Sequence, residues 1–383
     1  MQMVARGYVA YVLTGSYTAL GGIALAQALT GVFFTAIGGV AADRWPKMAV
    51  IQIGQVITAL MALVIGLLLL FDMLEFWHLL ASAALQGAVF AIISPAWQSV
   101  IPEVVGMDRL MNATALNMGG MNTMRLFLPA LAGWLLVVVS AAWLYFIMAG
   151  GFFFCVAFLF KVRTIAPGVA PSGDPPPADG GRGVRGAIDD IVDGLRYTAG
   201  HRTILVLLLA NLALSVVSMP YMIMLPGFVL DVLGGGSELL GTLYSVAAVG
   251  ALVATLGIAS MPNRSRGKLM LFAAVMMGVA LIVFSMSTIV WLTILTMIFI
   301  GAGQAIRQSL GTVLLQTYVD DEYRGRVMSV NMMQMNLVMV GSFLAAIMAS
   351  KVGPQLAVGV LAVVLLVFAL LIFAFVPRVR DIA

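Results

Sequence analysis

The chain of 383 residues is 62% hydrophobic and only 9% charged, with a formal net charge of +4. Ordinary soluble domains carry roughly 25% charge, so the composition excludes a water-covered globule and points to a polytopic membrane protein. One cysteine, Cys155, excludes a disulfide framework or a thiolate metal site, and the few positive charges read as membrane topology rather than as a nucleic-acid surface.

Residues 3 to 14 are apolar apart from Arg6, and Thr14-Gly15-Ser16 then turns the chain. A helix of that size rises about 21 Å, short of the roughly 30 Å hydrocarbon core, so the first span reads as partial. Eleven further spans follow at 17–42, 48–71, 77–101, 109–138, 141–161, 203–229, 237–261, 268–286, 288–317, 326–349 and 354–376. Their continuous apolar runs exclude a β-barrel, which needs dyad alternation. The expected fold class is therefore an all-α polytopic membrane protein. The start lacks the basic flank and small-residue cleavage site of a signal peptide.

Between the first two full spans lies Gly39-Val40-Ala41-Ala42-Asp43-Arg44-Trp45-Pro46-Lys47, a short charged turn. All Lys and Arg fall on the side of this turn except Lys351, on the opposite side, and Arg6, Arg125 and Arg307, inside spans. By the positive-inside rule the Asp43 side is cytoplasmic, and both termini face it. Residues 164–187 hold Pro167, Pro171, Pro175, Pro176 and Pro177 among many glycines, too polar a mixture to bury a core. After them Ile188, Ile191, Val192 and Leu195 recur at helical spacing, so 188–200 is expected to be an amphipathic helix on the inner membrane surface.

The chain repeats itself. Val12-Leu13 through Leu20-Gly21 matches Val232-Leu233 through Leu240-Gly241 at an offset of 220, and Gly39-Val40-Ala41 matches Gly257-Ile258-Ala259. Gln98 with Ile101 matches Gln316 with Val319, and Arg109-Leu110-Met111 matches Arg326-Val327-Met328. Four matches in order at nearly one offset imply two parallel six-helix halves: 1–163, a linker 164–202, and 203–383. Against the second half, the first lacks about 18 residues at its start. An internal Met taken as the start of a longer product explains this, and a genuinely shortened, non-transporting regulatory relative is the alternative.

The pattern Gly-x-x-x-Asp-Arg-x-x-Lys at Gly39, Asp43, Arg44 and Lys47 resembles the loop between the second and third helices of major facilitator superfamily transporters. Tyr11-Val12-Leu13-Thr14-Gly15-Ser16, Ser94-Pro95-Ala96, Asn112-Ala113, Leu128-Pro129-Ala130-Leu131-Ala132-Gly133 and Arg324-Gly325-Arg326-Val327 are similar to the branch of enterobactin exporters and macrolide efflux permeases. That resemblance implies a multi-pass protein of the cell membrane, a secondary efflux transporter of amphipathic small molecules, often by proton antiport. It also implies a monomer with no cofactor, and Asp43, Arg44, Lys47, Arg324 and Arg326 as a cytoplasmic latch. Physically, Asp43 suits a positive helix end, and Arg44 and Lys47 could meet Glu103, Asp320, Asp321 or Glu322. Pro129 and Gly133 resemble the family's antiporter helix bend, with Leu128 in place of its usual glycine; the proline keeps the kink, and the leucine crowds a close approach.

Charged and amide groups inside spans tend to mark a cavity or relay. Arg125 with Asn117 and Asn122, and Arg307 with Gln304 and Gln308, are the candidate substrate or coupling residues. For Arg125 a backbone clamp is an equal reading, and Arg6 is expected to snorkel from a short helix. Gln304 and Gln308, four apart, share a helix face. Every Asp and Glu falls in a loop or at a span end, which leaves no evident proton carrier and keeps a facilitator open. Met111, Met118, Met121, Met124 and their counterparts Met328, Met332, Met335 and Met339 fit either ordinary packing or an adaptable wall. There is no phosphate loop, and the two histidines, His78 and His201, are too far apart for a metal pair or a catalytic base, so enzymatic activity is not expected.

Overall fold

A computed structural model describes residues 1–106, 110–161, 193–259, 265–320 and 323–376. Among these residues the regular structure is α-helical throughout. The elements are α1 (Gln2–Thr14), α2 (Tyr17–Arg44), α3 (Lys47–Leu70), α4 (Phe76–Val105), α5 (Leu110–Val138) and α6 (Ala141–Leu159). They continue with α7 (193–200), α8 (Arg202–Ser218), α9 (Pro220–Asp231), α10 (Ser237–Ala259), α11 (Arg266–Met286), α12 (Val290–Tyr318), α13 (Arg324–Val352) and α14 (Pro354–Phe375). Backbone donors and acceptors have no water partner in a bilayer, so helices that satisfy them internally are the expected solution.

Helix ends follow local chemistry. Gly15 closes α1 at φ 58°, its N–H donating to Tyr11 O, a conformation that costs glycine little. α2 runs through Asp43 and Arg44, so the charged turn is tighter than expected and only Trp45 and Pro46 interrupt the helices. The expected span 203–229 is two helices, because Pro220 has no amide to continue α8. Nine helical spans among the described residues are long and apolar enough to cross a membrane, α8 and α9 together making one of them. Among the described residues α5 and α13 contribute the shorter apolar stretches Phe127–Val138 and Asn336–Val352.

Contacts gather the chain into two compact units, Met1–Leu25 with Arg125–Ser140 and Ile191–Ala383, and Ala26–Met124 with Ala141–Asp190. In the second of these α3 packs against α4 and α6, around a core that includes Ile51, Val89, Ile93 and Ala96. In the first, α12 packs against α8, α10 and α11, and Leu207, Leu271, Leu310, Leu314 and Val327 fill the centre. Large apolar side chains such as Phe33, Phe90, Leu256 and Trp291 stand exposed, a surface that suits acyl chains and not water.

One expectation is corrected: Arg6 does not snorkel but is buried, at 3% exposure. Residues 193–200 of the expected amphipathic helix form α7, where the Tyr197 hydroxyl donates to Asp320 Oδ2 at 2.8 Å, and its ring stacks on Tyr323 at 4.2 Å. Burial raises the Tyr197 phenol above its ordinary pKa, and the bond to Asp320 adds to the shift. Residues 188–192 and the proline-rich stretch lie outside the described residues.

Candidate functional site

Two polar constellations stand out in the first unit, one in mid-span and one at the helix ends opposite the Asp43 turn. The mid-span cluster centres on Arg307 of α12, a guanidinium with 1% exposure. Its Nη1 donates to Ser215 Oγ at 2.8 Å and to Asn211 Oδ1 at 3.3 Å, both on α8. Asn211 Nδ2 faces Asn331 Oδ1 and Gln334 Oε1 of α13, each at 3.4 Å, and Gln334 Nε2 donates to Leu208 O at 3.2 Å. One helical turn before Arg307, Gln304 accepts from the Tyr221 hydroxyl at 3.1 Å and directs its amide to Met219 Sδ at 3.3 Å. Among the described residues, three helices thus surround one buried cation with neutral groups. Nε of Arg307 has no hydrogen-bond partner.

The far-end cluster joins α1 and α2 to α9. The hydroxyls of Tyr11 and Tyr17 both donate to Asp231 Oδ2, that of Tyr17 at 2.9 Å. The two rings lie 5.0 Å apart and each is 5% exposed. Nearby, Thr18 N–H donates to Ser350 Oγ at 3.0 Å, and the two hydroxyls are 2.8 Å apart. Gly21 sits where a Cβ would lie 2.6 Å from Ala346 Cβ, and Gly133 of α5 where a Cβ would lie 2.1 Å from Gly241 Cα. Backbone meets backbone there, so only glycine fits. Tyr11 and Asp231 are 220 residues apart, the offset that also relates Gly21 to Gly241. Contacts that pair repeat-equivalent positions are what a two-fold arrangement places near its axis.

The structure places the sequence candidates unevenly. Gly39, Asp43 and Arg44 lie in the last turns of α2 and half-buried Lys47 opens α3; Arg324 and Arg326 lie in the first turn of α13. Asp321 and Glu322, named as partners for the turn, lie outside the described residues. Arg125 and Asn122 are on α5, where Asn117 is exposed, and Pro129 stands inside the helix four residues before Gly133. Gln304 joins the Arg307 cluster, whereas Gln308 is exposed and does not. Reading the sequence missed Asn211, Ser215, Tyr221, Asn331 and Gln334, although each is a polar residue in an apolar run. It also assigned Asp231 to a loop.

The helical architecture and its buried polar interior are those of a transporter of the major facilitator superfamily. Within it, the sequence profile of the transmembrane secretion effector family matches residues 1–382, and the chain belongs to that family. The "Staphyloferrin A transporter" of Staphylococcus aureus (strain NCTC 8325 / PS 47) is 26% identical over 281 residues, 71% of this chain. The match spans 65% of that relative, less than two thirds of its length. Similar solved structures include a bacterial homologue of the human lysosomal transporter Spinster in an inward-facing, unoccupied conformation, at TM-score 0.72 and 16% identity over 100% of this chain and 94% of that one. A D-xylose-proton symporter gives TM-score 0.72 and 14% identity, covering 99% and 97% of the two chains. These likenesses show the fold, and the chain is a multi-pass membrane protein of that family.

Proposed function

We propose that the chain is a secondary active exporter of amphipathic small molecules, siderophore-like or drug-like, that works by alternating access between two six-helix repeats. It sits in the cell membrane with both termini cytoplasmic and acts as a monomer, with protons as the exchanged ion. The observation that carries this reading is the far-end seal. Tyr11, Tyr17, Thr18, Gly21 and Gly133 come from the first repeat, and Asp231, Gly241, Ala346 and Ser350 from the second, so the contacts that hold those ends together cross the repeat boundary. Alternating access requires such a barrier on one side of the substrate site, built of contacts that can part. With the Asp43 side cytoplasmic, the seal is extracytoplasmic. Residues Gly39, Asp43, Arg44, Lys47, Arg324 and Arg326 would form its counterpart on the inner face.

Everted vesicles loaded with the full-length protein test this directly. Under an imposed proton gradient they should accumulate a member of a panel of siderophores and lipophilic drugs above vesicles lacking the protein. Absence of accumulation across the panel, with the protein folded in the membrane, would count against export. A second reading, facilitated movement without proton exchange, is favoured by one feature: no Asp or Glu occupies the middle of a span. Flux that persists after the gradient is collapsed would select it.

A further inference from the structure

We infer that Arg307 is a receptor for an anionic oxygen group of the transported compound, with a carboxylate the best-matched chemistry. The inference rests on the transporter reading above and adds the substrate class. Arg307 lies 17 residues into α12 and is 1% exposed, so its charge is held in the apolar layer. A buried ion needs a counter-charge, because neutral hydrogen bonds do not recover the hydration it has lost. Among the described residues of this unit no carboxylate bonds to Arg307. From Arg202 to the end of α14 the acidic residues are Asp231, Glu238, Asp320, Asp321 and Glu322, and the described ones, Asp231, Glu238 and Asp320, stand at or just beyond helix ends. Asp320 follows Arg307 by 13 residues, about 20 Å along the helix axis.

The arrangement around the guanidinium is that of a receptor left one partner short. Ser215 and Asn211 take Nη1 and fix the plane of the fork, while Nε has no partner. A carboxylate binds a guanidinium through two parallel N–H bonds, and one from Nε with its neighbouring amino group is a usual form of that pair. The amides of Asn331, Gln334 and Gln304 add neutral donors and acceptors suited to an oxygen-rich head group. The apolar remainder of an amphipathic compound would rest against the Met219 and Met222 side chains that already approach Gln304.

A receptor and a structural clamp differ in what the empty protein gains from the charge. Thermal melting of the purified full-length chain should show Arg307→Met and Arg307→Gln melting at or above the wild-type temperature, since a charge without a counter-ion is removed. A drop of several degrees in both variants would mark Arg307 as a clamp and overturn the inference. As a second readout, 2-naphthoate should raise the melting temperature of the wild type and of Arg307→Lys more than its uncharged carboxamide does. The difference should vanish in Arg307→Met. Equal shifts from the two compounds, or a carboxylate preference retained in Arg307→Met, would refute it. Flux that survives Arg307→Met sinks this assignment while leaving the transporter reading intact. Carboxylate binding without flux in vesicles does the reverse.

Discussion

The far-end seal and the Arg307 cluster are both polar constellations of one compact unit, yet they are finished to different degrees. At the seal each group meets its match: two tyrosine hydroxyls share one carboxylate oxygen, Thr18 answers Ser350, and glycine backbones touch. Around Arg307 the hydrogen bonds come from neutral side chains and the charge is left uncancelled. A contact made to hold ends together should be complete, and a contact made to receive a guest should lack a partner. On the reading proposed above, that difference is what would separate a barrier from a binding position.

The comparison breaks most severely at Gly133. Gly133→Leu puts a side chain where Gly241 Cα already is, and forcing α5 from α10 should cost about 1 to 3 kcal/mol of packing and abolish flux. Labelling of a cysteine placed at Ser237 by an impermeant thiol reagent should rise at least severalfold, read in a chain with Cys155 replaced. Asn211→Ala comes next, because it strips Arg307 and Gln334 of partners in the interior. A loss of about 1 to 3 kcal/mol is expected, visible as a lower melting temperature, and a double change with Arg307→Met should cost less than the two separately.

Asp231→Asn keeps the shape of the seal and removes the charge that strengthens its two hydrogen bonds. A loss of about 1 to 2 kcal/mol is expected, seen as faster labelling at the same Ser237 position. Unchanged labelling would mean that the tyrosine and carboxylate contacts do not hold the ends. The smallest effect is expected from Tyr197→Phe, which removes two exposed hydrogen bonds with Asp320, one donated to its Oδ2 and one accepted from its N–H, and retains the ring stack on Tyr323. It should cost under about 1 kcal/mol, measured as faster hydrogen exchange in residues 193–200 with flux unaltered.

Much of the architecture was legible in the sequence because lipid imposes a simple rule, that charges stay at helix ends. The span limits near Arg44, Lys47 and Lys351 follow from it. The break before Pro220 was masked by apolar residues on both sides, although the proline itself was the signal. Arg307 stood out as a lone cation, but its partners Asn211 and Asn331 come from helices about 100 or 25 residues away, and no local pattern joins them. Gln308 shows the limit of spacing arguments: four residues advance a helix by more than one turn, and here that rotation takes it from the packed side to the exposed one. The tyrosine and carboxylate contact was present in the repeat offset itself, since Tyr11 and Asp231 are equivalent positions, but it becomes visible only once equivalent positions are expected to meet.

The interruption at Met219 and Pro220 has a mechanical outcome. Without an amide on Pro220, the Val216 carbonyl forfeits its usual helical donor, so the rod from Arg202 to Asp231 is notched at one level. A notched rod flexes at the notch before it slides as a whole. Its stem, with Asn211 and Ser215, can keep its grip on Arg307 while its tip, with Asp231, swings free of the two phenols.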